Sequence, residues 1–375
     1  MGSAACYHLA RRGVRVLGLE QYELPHGRGS HHGHSRMIRQ SYYEHPDYVP
    51  LLRRAYELWD ELEAAAGSFQ SEPERILHLT GGLYLGPPHG SIVEGALAAA
   101  RAHDLPHDLL EAEEVTARFP AFRVPEGFRG FFEEKAGFLV PELAVAAHAE
   151  QARAHGAELR TNEPILEWAT SAEGVTVRTS TGTYQAGHLV VTAGAWNGPL
   201  LRDLEVELSV TRQVLAWFNP PGDVEPLSLG RFPCWFLETD PPYGHYGFPM
   251  LSSGQGGLKI ALHKPGEAID PDHLGADAHE VREEEVVALR EILRACIPGG
   301  DGPLLATRTC LYTNSADSHF ILGAHPGHQH LSIAAGFSGH GFKFASVMGE
   351  ILADLATDGT TSHPIEFLSP NRFGA

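Results

Sequence analysis

The sequence lacks the features that mark several classes of protein. Its four cysteines, at positions 6, 234, 296 and 310, show no CxxC pair or other metal-binding spacing, so the sequence predicts neither a disulfide framework nor a metal site. No apolar run approaches the length of a membrane span, and the first residues show no basic-then-apolar signal. These absences favour a cytoplasmic protein that does not enter a membrane.

Positive charge is also scarce. The 375 residues carry a formal net charge of −19, which argues against nucleic acids and anionic membrane surfaces as partners, because both attract basic faces. With 43% hydrophobic and 20% charged residues, the composition is that of a globular protein. The length suffices for two domains, each with its own core.

Lysine is the rarest basic residue. It occurs only at Lys135, Lys259, Lys264 and Lys343, and arginine is used elsewhere. A compact, titratable ammonium suits roles that a guanidinium does not fill, and Lys259 and Lys343 both lie in glycine-rich, apolar contexts. We therefore predict functional roles for these two; the alternative is chance placement on solvated loops.

The C-terminal part of the chain holds the strongest local signal. A predicted strand at 331–335 runs into glycines that are followed by a helical pattern over 344–355. A strand, a glycine loop and a helix let backbone N–H groups approach an anion or an electron-rich ring, although such loops are often only tight turns. His340 and Lys343 inside the loop, with Cys310 upstream, favour a binding site.

The N-terminal segment resembles part of a dinucleotide-binding unit. A small-residue helix begins near Gly2, and a buried strand is predicted over 14–19, followed by Glu20. An acidic residue at the end of such a strand accepts hydrogen bonds from a ribose. The preceding strand and the GxGxxG turn are absent, so these residues alone equally fit an ordinary αβ unit.

A loop over residues 27–39 is dense in glycine, histidine and arginine. His31, His32 and His34 would fit a metal-binding site, but no carboxylate or cysteine accompanies them. Arg36 and Arg39 suit the recognition of phosphate or carboxylate. We therefore expect an anion-binding loop and not a metal centre.

Helical and strand segments of two kinds alternate along the chain, so the sequence predicts two interleaved domains of the α/β class. The first, a Rossmann-like domain with a parallel sheet, takes residues 1–80, 140–204 and 305–375. The second, built on a mixed and largely antiparallel sheet, takes 81–139 and 205–304.

Two further segments bear on the site. An amphipathic helix is predicted over 47–65, and its apolar stripe is interpreted as core. A strand over 189–192 leads to Gly194 and Trp196 at an expected ligand edge.

Six motifs taken together are more specific than any one of them. They are GSHHGHSRMIRQ at 29–40, YGFP at 246–249, GLKI with His263, IDPD at 269–272, TCLYT with His319, and GFSGHGFK ending at Lys343. Through these motifs the sequence resembles, over its whole length, the monomeric sarcosine oxidase and N-methyltryptophan oxidase group of flavin-dependent amine oxidases.

The resemblance implies a role for each matching residue. Cys310 matches a cysteine bonded covalently to the flavin ring of FAD, and Lys259 matches a lysine that promotes reaction with oxygen. Arg39 and Lys343 match the pair that binds the substrate carboxylate; Tyr246 and His263 match residues of the substrate pocket. The residues predicted to bind the cofactor are Gly2, Glu20, His32, Arg36, Gly194, Trp196, Cys310, Gly339, His340 and Gly341.

Structural alternatives remain for several of these. Cys310 fits a small buried hydrophobe, Tyr246 a core residue, His263 a strand histidine with satisfied hydrogen bonds, and His340 a brace for the glycine loop. The resemblance also implies that the first strand and most of the pyrophosphate-binding turn are missing here, on the order of a dozen residues, and that this form binds flavin poorly.

The implied activity is oxidation of a secondary amine bearing a carboxylate, such as an N-methyl amino acid, by a monomer, with oxygen as acceptor and formaldehyde, the amino acid and hydrogen peroxide as products. The alternatives are oxidation of a cyclic or D-amino acid on the same scaffold, a non-catalytic truncated remnant or binding protein, and a nicotinamide dehydrogenase. The last leaves Cys310 without a role.

Overall fold

Helices and strands alternate throughout the computed structural model, which describes residues 1–67, 75–204, 206–251, 256–273 and 280–374. The helices are α1 Gly2–Arg11, α2 Tyr48–Ala66, α3 Ser91–Ala102, α4 Ala112–Arg118, α5 Pro141–Ala154, α6 Asn197–Leu200, α7 Glu283–Cys296 and α8 Ala345–Asp358. The strands are β1 Leu17–Leu19, β2 Arg36–Ile38, β3 Leu77–Leu79, β4 Gly82–Gly86, β5 Asp108–Leu110, β6 Arg129–Glu133, β7 Gly137–Leu139, β8 Glu158–Arg160, β9 Ile165–Ser171, β10 Gly174–Thr179, β11 Thr183–Ala186, β12 Leu189–Val191, β13 Leu208–Phe218, β14 Cys234–Asp240, β15 Tyr243–Gly247, β16 Leu258–His263, β17 Leu304–Ser315, β18 Ile321–Ala324 and β19 Leu331–Ala335.

An eight-stranded mixed sheet is the largest element of the fold. Its strands follow the order β17-β13-β16-β15-β14-β4-β6-β5, and every neighbouring pair is antiparallel except β14 with β4. The largely antiparallel second sheet predicted from the sequence is confirmed.

Parallel pairing occurs in two smaller sheets. β1 pairs with β8, and β12 pairs with β19, which also pairs antiparallel with β18. Helix α1 packs on both β1 and β12. The α/β class with parallel pairing in the N-terminal and C-terminal parts is therefore confirmed.

The buried strand predicted over 14–19 is wrong in part. The strand covers only Leu17–Leu19, and Val14 and Leu17 are 38% and 37% exposed. The physical reason is the pairing: β1 has β8 on one edge and no strand on its other edge among the described residues, so its apolar side chains are covered incompletely.

Helix α2 confirms the predicted amphipathic helix and its core stripe. The residues of its apolar stripe are buried. The interior that they join includes helix α8. The stripe does more than fill space, because Trp59 Nε1 donates a hydrogen bond of 2.9 Å to the carbonyl of Lys343. The core thus positions the glycine loop.

The predicted domain boundaries stay a prediction. Strand β17 pairs with β13 along its full length, from Ser315 opposite Leu208 to Leu304 opposite Phe218, so the large sheet continues beyond residue 305. Within the predicted segments, residues 68–74, 205, 252–255, 274–279 and 375 lie outside the described part of the chain.

Candidate active site

The loop over residues 27–39 leads from the N-terminal αβ unit to the large sheet. Ser30 Oγ donates a 2.5 Å hydrogen bond to the carbonyl of Leu311 on β17. The backbone N–H groups of Gly33 and His34 donate to Glu142 Oε1 at 2.7 and 3.2 Å. The loop is therefore held against β17 on one side and against the first turn of α5 on the other.

Lys259 lies under this loop on β16 and is only 3% exposed. Its Nζ donates to the carbonyls of Gly33 and Ser35 at 2.6 and 3.0 Å and to Ser35 Oγ at 2.9 Å. Three acceptors match the three protons of an ammonium. The rings of Trp217 and Phe248, 5.3 and 4.8 Å from Nζ, add cation–π attraction.

Burial lowers the pKa of Lys259 well below its ordinary value, and the charge of Arg36 acts in the same direction. The three hydrogen bonds oppose this by favouring the charged form. A small cavity lined by Lys259, His34, Trp217 and Phe248 lies beside the amine. The arrangement is a buried amine, with all three hydrogen-bond positions occupied, next to a small cavity.

Cys310 lies on β17 opposite Gln213 of β13 and is buried. Burial raises the pKa of its thiol, whereas Arg36 and Lys259 lower it. Burial is the larger effect, so the pKa of the Cys310 thiol lies above its ordinary value and the thiol is protonated at neutral pH. Its thiol is not in a disulfide.

Arg39, just beyond β2, is buried and forms a bidentate ion pair with Glu44, with Nη2 lying 2.6 and 2.7 Å from the two carboxylate oxygens. Its guanidinium stacks between the rings of Tyr42 and Tyr43, at 4.5 and 4.1 Å. Nη1 is buried and makes no hydrogen bond within the described part of the chain. Arg39 therefore keeps a buried donor for a ligand.

The charges of this group reinforce each other. Burial alone disfavours ionisation of Glu44, but Arg39, followed by His340 and Lys343, lowers its pKa to about 2. Burial also opposes the charge of Arg39, and Glu44 raises its pKa above the ordinary value. The Arg39–Glu44 pair consequently stays charged at neutral pH.

Lys343 shares the aromatic surface of Tyr42, with its Nζ 5.1 Å from the ring. Its Nζ donates to the carbonyl of His340 at 2.7 Å, the one acceptor that it reaches among described residues. Burial, followed by Arg39, lowers the pKa of Lys343 to about 7. Arg39 and Lys343 therefore lie on the same tyrosine ring, and Glu44 pairs with Arg39.

His340 braces the glycine loop. Its Nε2 lies 3.0 Å from the carbonyl of Ser318 and its Nδ1 2.5 Å from the hydroxyl of Tyr42. Burial lowers its pKa to about 3, so the ring is neutral, donates through Nε2 and accepts from Tyr42 through Nδ1.

Aromatic residues enclose the space above the large sheet. His263 Nδ1 lies 3.1 Å from the hydroxyl of Tyr312, and the ring centroids of Tyr246 and His263 are 6.4 Å apart. Burial lowers the pKa of His263 to about 4 and raises that of Tyr246 to about 12. Both side chains are neutral at pH 7 and form a hydrophobic wall with polar tips.

Gly339 makes this wall possible. It has a φ of +80°, and a Cβ at this position would overlap the ring of Tyr312. Only glycine fits both the left-handed backbone and the close approach of the ring. In the same loop a Cβ at Gly341 would overlap Phe337.

A second group of side chains lies at the end of β1. Glu20 Oε1 accepts from the N–H of Tyr22 and lies 3.7 Å from His26 Nε2. Tyr22 contacts Trp196 edge to face at 5.5 Å, and Trp196 Nε1 donates to Asp272 Oδ1 at 2.8 Å. The sequence-predicted residues Glu20 and Trp196 are thus brought together, 176 positions apart in the chain.

The same end contains buried nitrogens that lack partners. Nε2 of His31 and Nε2 of His32 are buried and hydrogen-bonded to no described residue. Burial lowers the pKa values of His31 and His32 to about 3 and 4, so both rings are neutral. They do not join a group of three potential metal ligands in the part of the chain that the structure describes.

Glycines allow the close approach of backbone at this end. Gly2 begins α1, and a Cβ there would lie 2.8 Å from Thr192 Oγ1 beyond β12. Gly194 has a φ of +56° and begins a 3-10 turn that carries Trp196. The ends of β1 and β12 therefore meet at the start of α1, the place where a dinucleotide binds in parallel α/β sheets.

These features fit an FAD molecule. An acidic residue, unpartnered imidazole nitrogens and glycine-lined backbone lie at one end, and the loop over 27–39 leads from there to Cys310 and Lys259. The sequence-predicted site residues therefore lie in two groups, one at the end of β1 and one formed by the large sheet, the segment over 27–39 and the glycine loop before α8.

Sequence reasoning missed several members of the site. Glu44, five residues after Arg39, was signalled only by its closeness in the chain. Glu142 and Tyr312 carried no signal that separated them from a helix cap and a core residue. Trp217 is also a member, because it covers Lys259 from β13 and, although 42 residues away in the chain, lies opposite it in the sheet.

The fold and the site together are those of a redox enzyme that uses a dinucleotide cofactor. The family model described as FAD dependent oxidoreductase (DAO) matches residues 1–355. The chain therefore belongs to this family of FAD-dependent oxidoreductases.

Similarity to individual proteins extends over the whole chain. It is 43% identical to monomeric sarcosine oxidase from Streptomyces avermitilis, over 100% of this chain and 96% of that protein. It is 36% identical to N-methyl-L-tryptophan oxidase from Escherichia coli, over 100% and 96%. Among solved structures, the open form of NikD, an amino acid oxidase, superposes with a TM-score of 0.83 at 26% identity, over 98% of this chain and 94% of NikD.

Among the described residues, no helix combines the length and the apolarity that are required to span a bilayer.

Proposed function

We propose that this chain is an FAD-dependent oxidase of N-methyl amino acids of the sarcosine or N-methyltryptophan type. The relatives named for those activities support the substrate class. The observation that carries the proposal is the buried pair of cations, Arg39 with an unpartnered Nη1 and Lys343, beside the wall formed by Tyr246 and His263. We also propose that the protein is a cytoplasmic monomer, as the sequence predicts.

Each residue would have a separate task. Arg39 Nη1 and Lys343 Nζ would bind the substrate carboxylate, which is a bidentate acceptor. Tyr246 and His263 would enclose the amine end and exclude water from it. Because the carboxylate is held at one end, the N-methyl group is oriented without a contact of its own.

The cofactor would be held along the path already described, by Glu20, His32 and Arg36, with Cys310 attached to it through sulfur. When bound, FAD accepts two electrons and a hydrogen from the carbon next to the amine nitrogen and passes the electrons to oxygen. The overall reaction converts the N-methyl amino acid, oxygen and water into the amino acid, formaldehyde and hydrogen peroxide. Lys259 would hold a positive charge where oxygen becomes negatively charged.

A substrate panel tests the proposed function. We expect sarcosine or N-methyltryptophan to give formaldehyde and peroxide in equal amounts, and the matched N-methyl amine without a carboxylate to react much more slowly. Turnover of proline or D-amino acids with peroxide but no formaldehyde would instead assign the cyclic or D-amino acid alternative. Equal rates for the amine with and without a carboxylate would contradict the role of Arg39 and Lys343.

The pH dependence tests Lys343 separately. Its pKa is lowered to about 7, so the side chain is protonated below that pH and loses its charge as the pH rises. We expect KM for the N-methyl amino acid to rise by up to about tenfold per pH unit above pH 7 and then to level off, because Arg39 stays charged. The turnover number should change less, since the bound carboxylate keeps Lys343 protonated.

Lys343→Met provides the comparison for this measurement. It should have a raised KM that depends little on pH between about pH 6 and pH 8. A KM that rises equally with pH in this variant and in the original chain would assign the titration to another group.

A further inference from the structure

Three potential metal ligands meet on a surface of the protein that the proposed oxidase function does not use. Asp203 lies in the 3-10 turn Arg202–Leu204, and His325 and His328 lie on the turn that joins β18 to β19. One carboxylate oxygen and two imidazole nitrogens from these residues all lie within 4.8 Å of one another. The chain brings them together from positions up to 125 residues apart.

His325 provides independent support for a ligand at this place. Its side chain is only 1% exposed, and its Nε2 is buried without a hydrogen bond to any residue that the structure describes. Asp203 Oδ2 lies 3.5 Å away. A buried imidazole nitrogen that faces a carboxylate without bonding to it is costly unless something else satisfies it.

His328 is already oriented as a metal-binding histidine would be. Its Nε2 lies 2.6 Å from Asp203 Oδ2, and its Nδ1 lies 2.8 Å from Thr170 Oγ1 on β9. Metal-bound histidines usually donate their second ring N–H to an oxygen, which fixes the tautomer. Thr170 is in the position of that partner.

Trp168 covers the two imidazoles. Its ring lies 6.4 Å from that of His325 and 4.9 Å from that of His328, both edge to face. Its Nε1 donates to the carbonyl of Leu200, which fixes the indole. The site therefore has a rigid wall on one side, while Asp203 is open to solvent on the other.

We propose that Asp203, His325 and His328 bind a divalent cation of borderline softness, of the Zn²⁺ type. Two imidazole nitrogens and one carboxylate oxygen suit this class, whereas Ca²⁺ and Mg²⁺ prefer oxygen ligands. Water would complete the coordination on the exposed side.

Binding of the ion requires adjustment of the side chains. Tetrahedral ligands about 2.0–2.1 Å from Zn²⁺ lie roughly 3.3 Å from each other. The 3.5 Å separation of His325 and Asp203 already fits, whereas His328 must withdraw from Asp203 and the two imidazole nitrogens, which lie within 4.8 Å of each other, must reach the same spacing. The N–H of Gly327 donates to His325 Nδ1 at 3.1 Å. The Gly327 N–H would bond to water instead when the ring proton moves to Nδ1, because Gly327 is exposed.

The expected role is structural. The ion would connect the β18–β19 turn to the segment that follows α6, and through Thr170 to β9. Because binding is to the folded state, free Zn²⁺ above its dissociation constant raises stability by mass action. This inference stands whether or not the proposed substrate is correct, because none of its residues belongs to the oxidase site.

Calorimetric titration of the tag-free, flavin-loaded full chain with ZnCl₂ tests it directly. We expect one high-affinity Zn²⁺ per chain, a higher thermal midpoint with Zn²⁺, and no comparable effect of Ca²⁺. His325→Ala and His328→Ala should each weaken that binding at least about tenfold, and Thr170→Val on the order of tenfold. His330→Ala, two residues further along the same turn and outside the cluster, is the matched control and should bind as the original chain does.

Asp203→Asn keeps the proposal falsifiable if the buried His325→Ala chain does not fold, because Asp203 is exposed and its substitution leaves the packing intact. Loss of binding in this variant with an unchanged midpoint in the absence of metal supports the site. Unchanged Zn²⁺ affinity in Asp203→Asn and His328→Ala, or an equal loss in His330→Ala, would overturn it.

Discussion

Replacement of Lys259 by methionine should lower the rate at which oxygen reoxidises the substrate-reduced enzyme by on the order of 10²–10³-fold. Methionine has a similar length and can occupy the space between Trp217 and Phe248, but it has no charge to stabilise a developing anion. The rate at which substrate reduces the enzyme should change little, because the amine of Lys259 lies under the loop over 27–39 and not beside Tyr246 and His263. Rapid mixing of anaerobically reduced enzyme with oxygen measures the reoxidation rate, and anaerobic mixing with substrate measures the reduction rate.

Lys264→Met is the matched control. Lys264 is exposed and forms a surface ion pair with Asp240 at 2.6 Å, so its loss should leave both rates unchanged. If Lys259→Met slows reduction by substrate as much as reoxidation, the residue supports the site as a whole and has no specific role towards oxygen.

Replacement of Cys310 by serine should abolish covalent attachment of the flavin. Serine preserves the size and the place of the residue on β17, but it cannot supply the sulfur that would bond to the flavin. Precipitation with acid, followed by a visible spectrum of pellet and supernatant, separates the two cases. We expect yellow colour to stay with the pellet of the original chain and to move to the supernatant in Cys310→Ser.

Cys296→Ser serves as the comparison, since Cys296 is also a buried thiol but lies at the end of α7. Its pellet should stay yellow. Release of the yellow colour from the original chain would mean that FAD is bound without a covalent bond to Cys310.

Parts of the structure that depend on local pattern were predictable. The strand at 331–335 has the predicted bounds, and helix α2 differs from prediction by a residue at each end. Their signals are periodic burial and glycine or proline stops, which lie within a few residues of the element itself. The exposed face of β1 was not predictable, because exposure depends on which strand pairs with its second edge.

The chemistry of individual residues shows the same division. Residue type and local spacing placed Lys259, Lys343, Arg39 and Cys310 in unusual contexts and indicated an anion-binding loop, whereas the flavin-dependent class came from the resemblance to a known family. It gave no sign that Glu44 pairs with Arg39.

Nor did the sequence indicate that Asp203 meets His325 and His328. Those contacts join segments that only the sheets and helices bring together, and burial in a common interior shifts the pKa values that determine which groups are charged. The sequence by itself therefore determined the class of enzyme and its principal residues. The tertiary structure decided which charges are paired, which donors stay available for a ligand, and where the three metal-ligating side chains converge.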